Sequence, residues 1–219
     1  LESGRKLNLK RIIITSTSEI YGTAQYVPID EKHPYNPQSP YAASKAAADH
    51  LALSYYRSFG TPVTIIRPFN TYGPRQSARA VIPTIISQIL AGKKQIKLGN
   101  LSPTRDLNYV KDIANGFITV GLHENTIGNV YNLGTGQEIS IGDLAEKIIE
   151  LTEKEVEIIE DTQRIRPEKS EVERLLSNAE KAKKTTGWKP KYMLEEGLKE
   201  TIDWIQDNLH HYKPEIYNI

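Results

Sequence analysis

Tyr41 and Lys45, in the stretch YAASK, stand four residues apart, which is one turn of α-helix and therefore one face. An ammonium beside a phenol favours the phenolate, and a tyrosine so placed can act as general base toward an alcohol proton. On spacing alone, two surface side chains of an amphipathic helix are the simpler account. A second group of polar residues lies about twenty residues upstream. The stretch TSTSEIYG, residues 15–22, follows directly on the apolar run RIII and brings Thr15, Ser16, Thr17, Ser18 and Glu19 to the end of a strand-like segment. Ligands of open α/β sheets lie outside the carboxyl ends of strands. A hydroxyl there can bond a substrate oxygen, and a carboxylate can take a proton from carbon; alone, the same residues read as a Ser/Thr turn with a solvated glutamate. The two groups together favour a site.

The elements that must position these residues can be read from periodicity and turn chemistry. Strands are expected over Arg11–Thr15, Pro62–Arg67, Ile96–Leu98, Val130–Leu133 and Val156–Ile159. Helices are expected over Tyr41–Phe59 with Gly60 as its stop, Ala80–Ala91, Val110–Leu122, Glu180–Thr186 and Leu194–Leu209. Ser140, with Asp143 three residues on, caps a helix to Leu151. The segment from Gly22 to Pro40 carries four prolines and reads as a surface loop, and PFNTYGPRQ, 68–76, as a second loop. Alternating strands and helices give an α/β class with an at least partly parallel sheet.

Composition excludes several roles. The 219 residues are 25% charged and 38% hydrophobic with a net charge of +1, which gives no electrostatic footprint for nucleic acid or a membrane surface. There is no cysteine, so disulfides and thiolate metal sites are excluded and a reducing compartment is allowed. His33, His50, His123, His210 and His211 lack metal-ligand spacing, and Trp188 and Trp204 read as core or interface anchors. The first ten residues have no initiating Met and read as the last turns of a helix leading into a strand, as if the chain began inside a longer protein.

The motifs STSEIYG (16–22), YAASK (41–45), RPFNTYGPRQ (67–76), RDLNYVKD (105–112), YNLGTG (131–136) and GWKP (187–190) resemble, in order and spacing, the extended short-chain dehydrogenase/reductase family in its nucleotide-sugar epimerase and 4,6-dehydratase branch. Two further stretches, PFNTYGPRQSARAVIPTII and RIRPEKSEVERLL, look most like the legionaminic-acid-type dehydratases of nucleotide-linked N-acetylglucosamine. The resemblance implies the C-terminal part of a Rossmann-type parallel sheet plus a smaller α/β substrate-binding domain. Residues 1–75 would belong to the NAD-binding domain and 76–219 mainly to the substrate domain, with 108–136 returning to the Rossmann core. The family's Gly-rich pyrophosphate turn has no counterpart here, so the 219 residues alone are expected neither to bind NAD⁺ measurably nor to turn over.

The resemblance also implies roles. Tyr41 takes the C4 hydroxyl proton, Lys45 orients the nicotinamide ribose, Thr17 bonds the C4 oxygen and Glu19 removes the C5 proton. Ser18 replaces the aspartate that in many dehydratases protonates the departing C6 hydroxyl, which leaves Glu19 as the candidate for both transfers. Epimerases of the family usually carry a small or apolar residue at the position of Glu19. Pro68 would pack near the nicotinamide and Asn70 against the sugar diphosphate, with Arg75, Arg105 and Arg166 as phosphate-binding cations; Arg166 also sits in a charge run that reads as solvated. Asp112 either contacts the substrate domain or favours the first turn of its helix. A cytoplasmic homodimer, paired through the Tyr41–Lys45 helix, is the implied assembly.

Overall fold

The computed structural model describes residues 1–165 and 167–215. In chain order the helices are α1 (Glu2–Lys6), α2 (Pro40–Phe59), α3 (Val81–Leu90), α4 (Val110–Leu122), α5 (Ile141–Thr152), α6 (Glu180–Thr186) and α7 (Leu194–Asp207). The strands are β1 (Ile12–Thr15), β2 (Val63–Pro68), β3 (Thr71–Tyr72), β4 (Gln95–Leu98), β5 (Thr104–Arg105), β6 (Asn108–Tyr109), β7 (Val130–Leu133), β8 (Ile139–Ser140), β9 (Glu157–Glu160) and β10 (Arg174–Leu175).

The main sheet is parallel, ordered β1-β2-β7, with Ile14 opposite Ile65 and Ile66 opposite Tyr131. The run VTIIRP of β2 is buried on both faces, as the central strand of a parallel sheet must be. Around it, β4 pairs with β9 and β3 with β6, each parallel, while β5 sits between β10 and an antiparallel β8. The largest apolar core packs Ile82, Ile85, Ile86 and Ile89 of α3 against Leu144 and Ile148 of α5 and Leu198, Ile202 and Ile205 of α7.

Local chemistry accounts for the helix that carries Tyr41. Ser39 caps α2, its Oγ accepting from the Ala42 N–H at 3.1 Å, Pro40 occupies the first turn, and Gly60 closes it in the left-handed region. Ala42, Ala46, Asp49 and Ala52 form its buried stripe, and small side chains allow a close approach to the sheet. Ser140 caps α5 by accepting from the Asp143 N–H, and its hydroxyl donates to Asp143 Oδ2 at 2.6 Å.

Expected boundaries hold to within a residue or two for the long elements. Five strands of two residues each were outside the reach of periodicity, including β3 within the expected loop 68–76. The segment 22–40 is mostly exposed or half-exposed, as a surface loop should be, but it is anchored at Ile29 and His33, which are buried, and Ile29 bridges to Ser177. The cause is hydrogen bonding, since Ile29 donates to the Leu176 carbonyl and its own carbonyl accepts from Asn178 N and Asn132 Nδ2.

One charged network ties these elements together. Arg67, in the penultimate position of β2, is 1% exposed. Its guanidinium donates to Asp49 Oδ2 of α2 at 2.9 Å, to Tyr21 Oη at 2.8 Å, and to Tyr35 Oη. Tyr21 Oη donates in turn to Asn132 Oδ1 of β7 at 2.8 Å. Burial pushes the Tyr21 hydroxyl well above the ordinary phenol range, so it stays protonated and keeps that donor. Removing one partner of such a pair leaves the other charge buried and unmatched. Arg67→Met is expected to cost about 3–5 kcal/mol in urea unfolding, and the double replacement Arg67→Met with Asp49→Leu to recover much of that loss.

The β10-β5-β8 sheet has its own clasp. Glu138 accepts from Arg174 and from Thr104 Oγ1 at 2.6 Å, and the Arg174 bond holds its carboxyl below the usual range. A lowered acid contributes stability above its unfolded value of about 4.3 and loses it as pH falls through the folded value. Glu138→Gln is expected to flatten this acid limb in thermal melts recorded between neutral and acidic pH.

Candidate active site

The site begins where β1 ends. The Ser16 N–H continues the parallel register by donating to the Ile66 carbonyl at 2.8 Å, after which the chain turns into one 3-10 turn, Ser18–Tyr21. Thr17 caps that turn, its Oγ1 accepting from the Glu19 N–H at 3.2 Å. Gly22 ends it at φ +63°, with the Asn36 carbonyl where a Cβ would lie, so only glycine fits. Ser16, Thr17 and Ser18 are buried, whereas Glu19 is half-exposed. The Ser16 Oγ has no hydrogen-bond partner among the described residues.

The first turn of α2 docks on this tip. Lys45 Nζ donates to the Thr15 carbonyl at 3.0 Å and lies 6.0 Å from the centroid of the Tyr41 ring. Tyr41 is 54% exposed. Lys45 therefore tethers the Tyr41 turn to the last residue of β1 through the backbone.

A cleft of about 300 Å³ opens beside the tip. Glu19, Asn70 and Arg105 lie in its wall, joined by Arg79, Lys97, Arg164 and Glu171. Asn70 follows β2, and its backbone carbonyl accepts from Asn108 N at 2.8 Å, which fixes it to β6. Arg105 donates from Nη1 to the Thr104 carbonyl at 2.9 Å and from Nη2 to Glu171 Oε1 at 3.4 Å, with both side chains largely buried. Asp106, next in sequence and fully buried, accepts from the N–H and hydroxyl groups of Thr135 and Ser177, from Gly136 N and from Asn108 Nδ2. That carboxylate locks the β5–β6 turn onto the loop after β7.

The structure thus brings Glu19, Asn70 and Arg105 into one cleft and sets Thr17, Ser18 and Lys45 at the strand tip beside it. Pro68 ends the neighbouring strand β2. Tyr41 lies outside the cleft wall, and Arg75, exposed at φ +67°, does as well. Arg166 lies outside the described residues. Asp112 stands in the first turn of α4 and accepts from Lys191 N and Tyr192 N at 2.9 and 3.0 Å. Sequence reasoning missed Lys97, which no motif marks, and Arg79, Arg164 and Glu171, which lie within the stretches PFNTYGPRQSARAVIPTII and RIRPEKSEVERLL but were given no role there. It also missed Arg67 as a buried hub, although a lone charge in the apolar run VTIIRP is a signal that a buried partner exists.

Known proteins are similar to this chain in sequence and fold. The profile of the family described as GDP-mannose 4,6 dehydratase matches residues 1–201. The human dTDP-D-glucose 4,6-dehydratase is 35% identical over 218 residues, 97% of this chain and 61% of that protein. Among solved structures, the dTDP-glucose 4,6-dehydratase of Bacillus anthracis in complex with NAD superposes with a TM-score of 0.85 at 35% identity, covering 97% of this chain and 67% of that one. The UDP-N-acetylglucosamine 4-epimerase of Methanobrevibacter ruminantium in complex with UDP-N-acetylmuramic acid gives 0.84 at 31% identity, covering 94% and 66%. The chain spans about three fifths of the length of the human relative and of its bovine counterpart, 61% and 60%. With a match that runs along residues 1–201, these 219 residues belong to the GDP-mannose 4,6-dehydratase family, within the extended short-chain dehydrogenases/reductases that act as nucleotide-sugar dehydratases and epimerases.

Proposed function

We propose that this chain carries the catalytic and substrate-binding residues of an NAD-dependent nucleotide-sugar 4,6-dehydratase, a lyase that converts a nucleotide-linked hexose to its 4-keto-6-deoxy form. The observation that carries this reading is Glu19, a carboxylate at the tip of β1 in the wall of the same cleft as Asn70 and Arg105. Residues 1–75 and 108–136 form the Rossmann side of the division, supported by the place of β7 beside β2, and the remainder of 76–219 forms the substrate side.

The residues present fit a nicotinamide ribose. Ser16 offers a buried hydroxyl with no partner among the described residues, Lys45 an ammonium at the strand tip, and Pro68 an apolar ring at the end of the adjacent strand. NAD, when bound, supplies the acceptance of a hydride from C4 and its return to C6. Tyr41 takes the C4 hydroxyl proton. Thr17, whose oxygen already accepts from Glu19 N, keeps its own proton to donate to the C4 oxygen. Once C4 is a carbonyl, the C5 proton is acidic and Glu19 removes it. Ser18, only 2% exposed, is packed beneath the turn, so Glu19 hands that proton to the departing C6 hydroxyl, which leaves as water. Asn70, Arg105, Arg79 and Lys97 face the sugar diphosphate, where guanidinium groups fork onto phosphate oxygens. The stretches PFNTYGPRQSARAVIPTII and RIRPEKSEVERLL support UDP- or GDP-linked N-acetylglucosamine of the legionaminic-acid type as the hexose, in a cytoplasmic enzyme.

A 4-epimerase on the same scaffold is the second reading, favoured by the solved epimerase that superposes as closely as the dehydratase. It needs no base at C5. Protein containing this chain, given NAD⁺ and UDP-N-acetylglucosamine, GDP-mannose or dTDP-glucose in turn, is expected to yield a 4-keto-6-deoxy product from one of them. Glu19→Gln is expected to lower that rate about 10²- to 10⁴-fold while C4 oxidation survives as a single-turnover rise in reduced-nicotinamide absorbance. Recovery of a C4 epimer at an undiminished rate would establish the second reading instead.

The homodimer belongs to the same proposal. On α2, Ala43, Ala47 and Leu51 share an outward face, and Leu51 is 55% exposed. Leu51→Glu is expected to convert dimer to monomer in size-exclusion chromatography with light scattering, and a wild-type monomer at the same concentration would refute the dimer.

A further inference from the structure

Gln38 stands immediately before the Ser39 cap of α2, three residues ahead of Tyr41. Its side-chain amide is spent entirely on backbone. The Oε1 accepts from Thr23 N at 2.6 Å, just past the Ser18–Tyr21 turn, and the Nε2 donates to the carbonyls of Lys169 and Glu171 at 3.2 and 2.9 Å. An N–H on one side and two carbonyls on the other fix which end of the amide is which. Thr23 reinforces the contact, with its hydroxyl accepting from Glu173 N at 3.2 Å.

The segment so pinned, 169–174, is a strap between the catalytic tip and the cleft. Its residue Glu171 lines the cleft and accepts from Arg105 Nη2 at 3.4 Å. At the far end of the strap, Arg174 begins β10, which pairs with Thr104–Arg105 of β5. A continuous chain of contacts therefore runs from the start of the Tyr41 helix, through Gln38, to the guanidinium beside the cleft.

We infer that Gln38 is a positioning residue that acts through Glu171 and Arg105 to hold the nucleoside-diphosphate side of the cleft in register with the catalytic helix. The inference deepens the dehydratase reading and rests on it for its substrate. Neither Gln38 nor the backbone of Glu171 touches substrate in this account. Their effect is to set where Arg105 stands, and small misplacements of such anchors are costly to binding and rate.

The test is a double-mutant cycle. Gln38→Ala and Glu171→Ala are each expected to raise the KM for the nucleotide sugar about 10-fold, and the double variant also about 10-fold rather than about 100-fold, because both act along one chain of contacts. Calorimetric titration with UDP, GDP and dTDP, in parallel, is expected to show the same non-additive loss for whichever binds the wild type. If Gln38→Ala loosens the fold, Gln38→Glu replaces it, since that variant keeps the acceptor for Thr23 N and puts a carboxylate oxygen, repelled by the two carbonyls, in place of their donor. A folded Gln38→Glu with unchanged KM and nucleotide affinity overturns the inference, as do multiplicative effects of the two substitutions. A wild type that binds a nucleoside diphosphate with this non-additive pattern, yet forms no 4-keto sugar, sinks the dehydratase reading and leaves the coupling standing.

Discussion

A guanidinium buried in the middle of a parallel sheet is the constraint around which this molecule is arranged. Arg67 occupies the central strand of the main sheet, where water cannot reach it, and its desolvation must be offset by partners with good geometry. Those partners come from separate parts of the chain: Asp49 from α2, Tyr21 from the turn that carries Glu19, and Tyr35 from the loop 22–40. Satisfying the charge therefore fixes three elements relative to β2. Tyr41 lies two helical turns before Asp49, and Glu19 two residues before Tyr21. The relative placement of the proposed base and the proposed C5 acid follows from the way one cation is paired.

The cleft beside this core has a different logic. Its cations and carboxylates come from loops and short strands instead of the buried sheet. Arg79, Lys97 and Arg105 stand in its wall with two carboxylates, Glu171 holding Arg105 and Glu19 at the tip of β1 as the proposed proton-transfer group. The proposed nucleotide sugar has the matching polarity, with an anionic diphosphate joined to a neutral hexose. The buried Asp106 carboxylate, with donors from Thr135, Gly136, Ser177 and Asn108, makes the joint between the β5–β6 turn and the loop after β7 rigid.

What was legible from residues alone was whatever local chemistry decides. Ser39-Pro40 and Gly60 mark both ends of α2, and Ser140 with Asp143 marks the start of α5, because caps and left-handed stops are written in the residues that make them. The tip 15–19 and the Tyr41–Lys45 spacing were legible for the same reason. Long-range pairing was not. The two-residue strands β5, β8 and β10 exist only because their partners arrive from elsewhere, and the anchoring of loop 22–40 at Ile29 depends on hydrogen bonds to 176–178 and Asn132. Arg79 and Lys97 drew no reading, since nothing in their neighbours shows that a cleft forms in front of them. The tether from Lys45 to the Thr15 carbonyl likewise depends on a contact thirty residues away.

The proposed function requires one hexose to lie with its C4 before Tyr41 and its C5 before Glu19, so that hydrogen leaves one carbon and returns to another. The direct measurement follows a label. Protein containing this chain is given NAD⁺ and a nucleotide sugar deuterated at C4, and the product is read by NMR. Deuterium found at C6 of a 4-keto-6-deoxy sugar is the predicted result. Deuterium still at C4, with the configuration there inverted and the C6 hydroxyl intact, would contradict it.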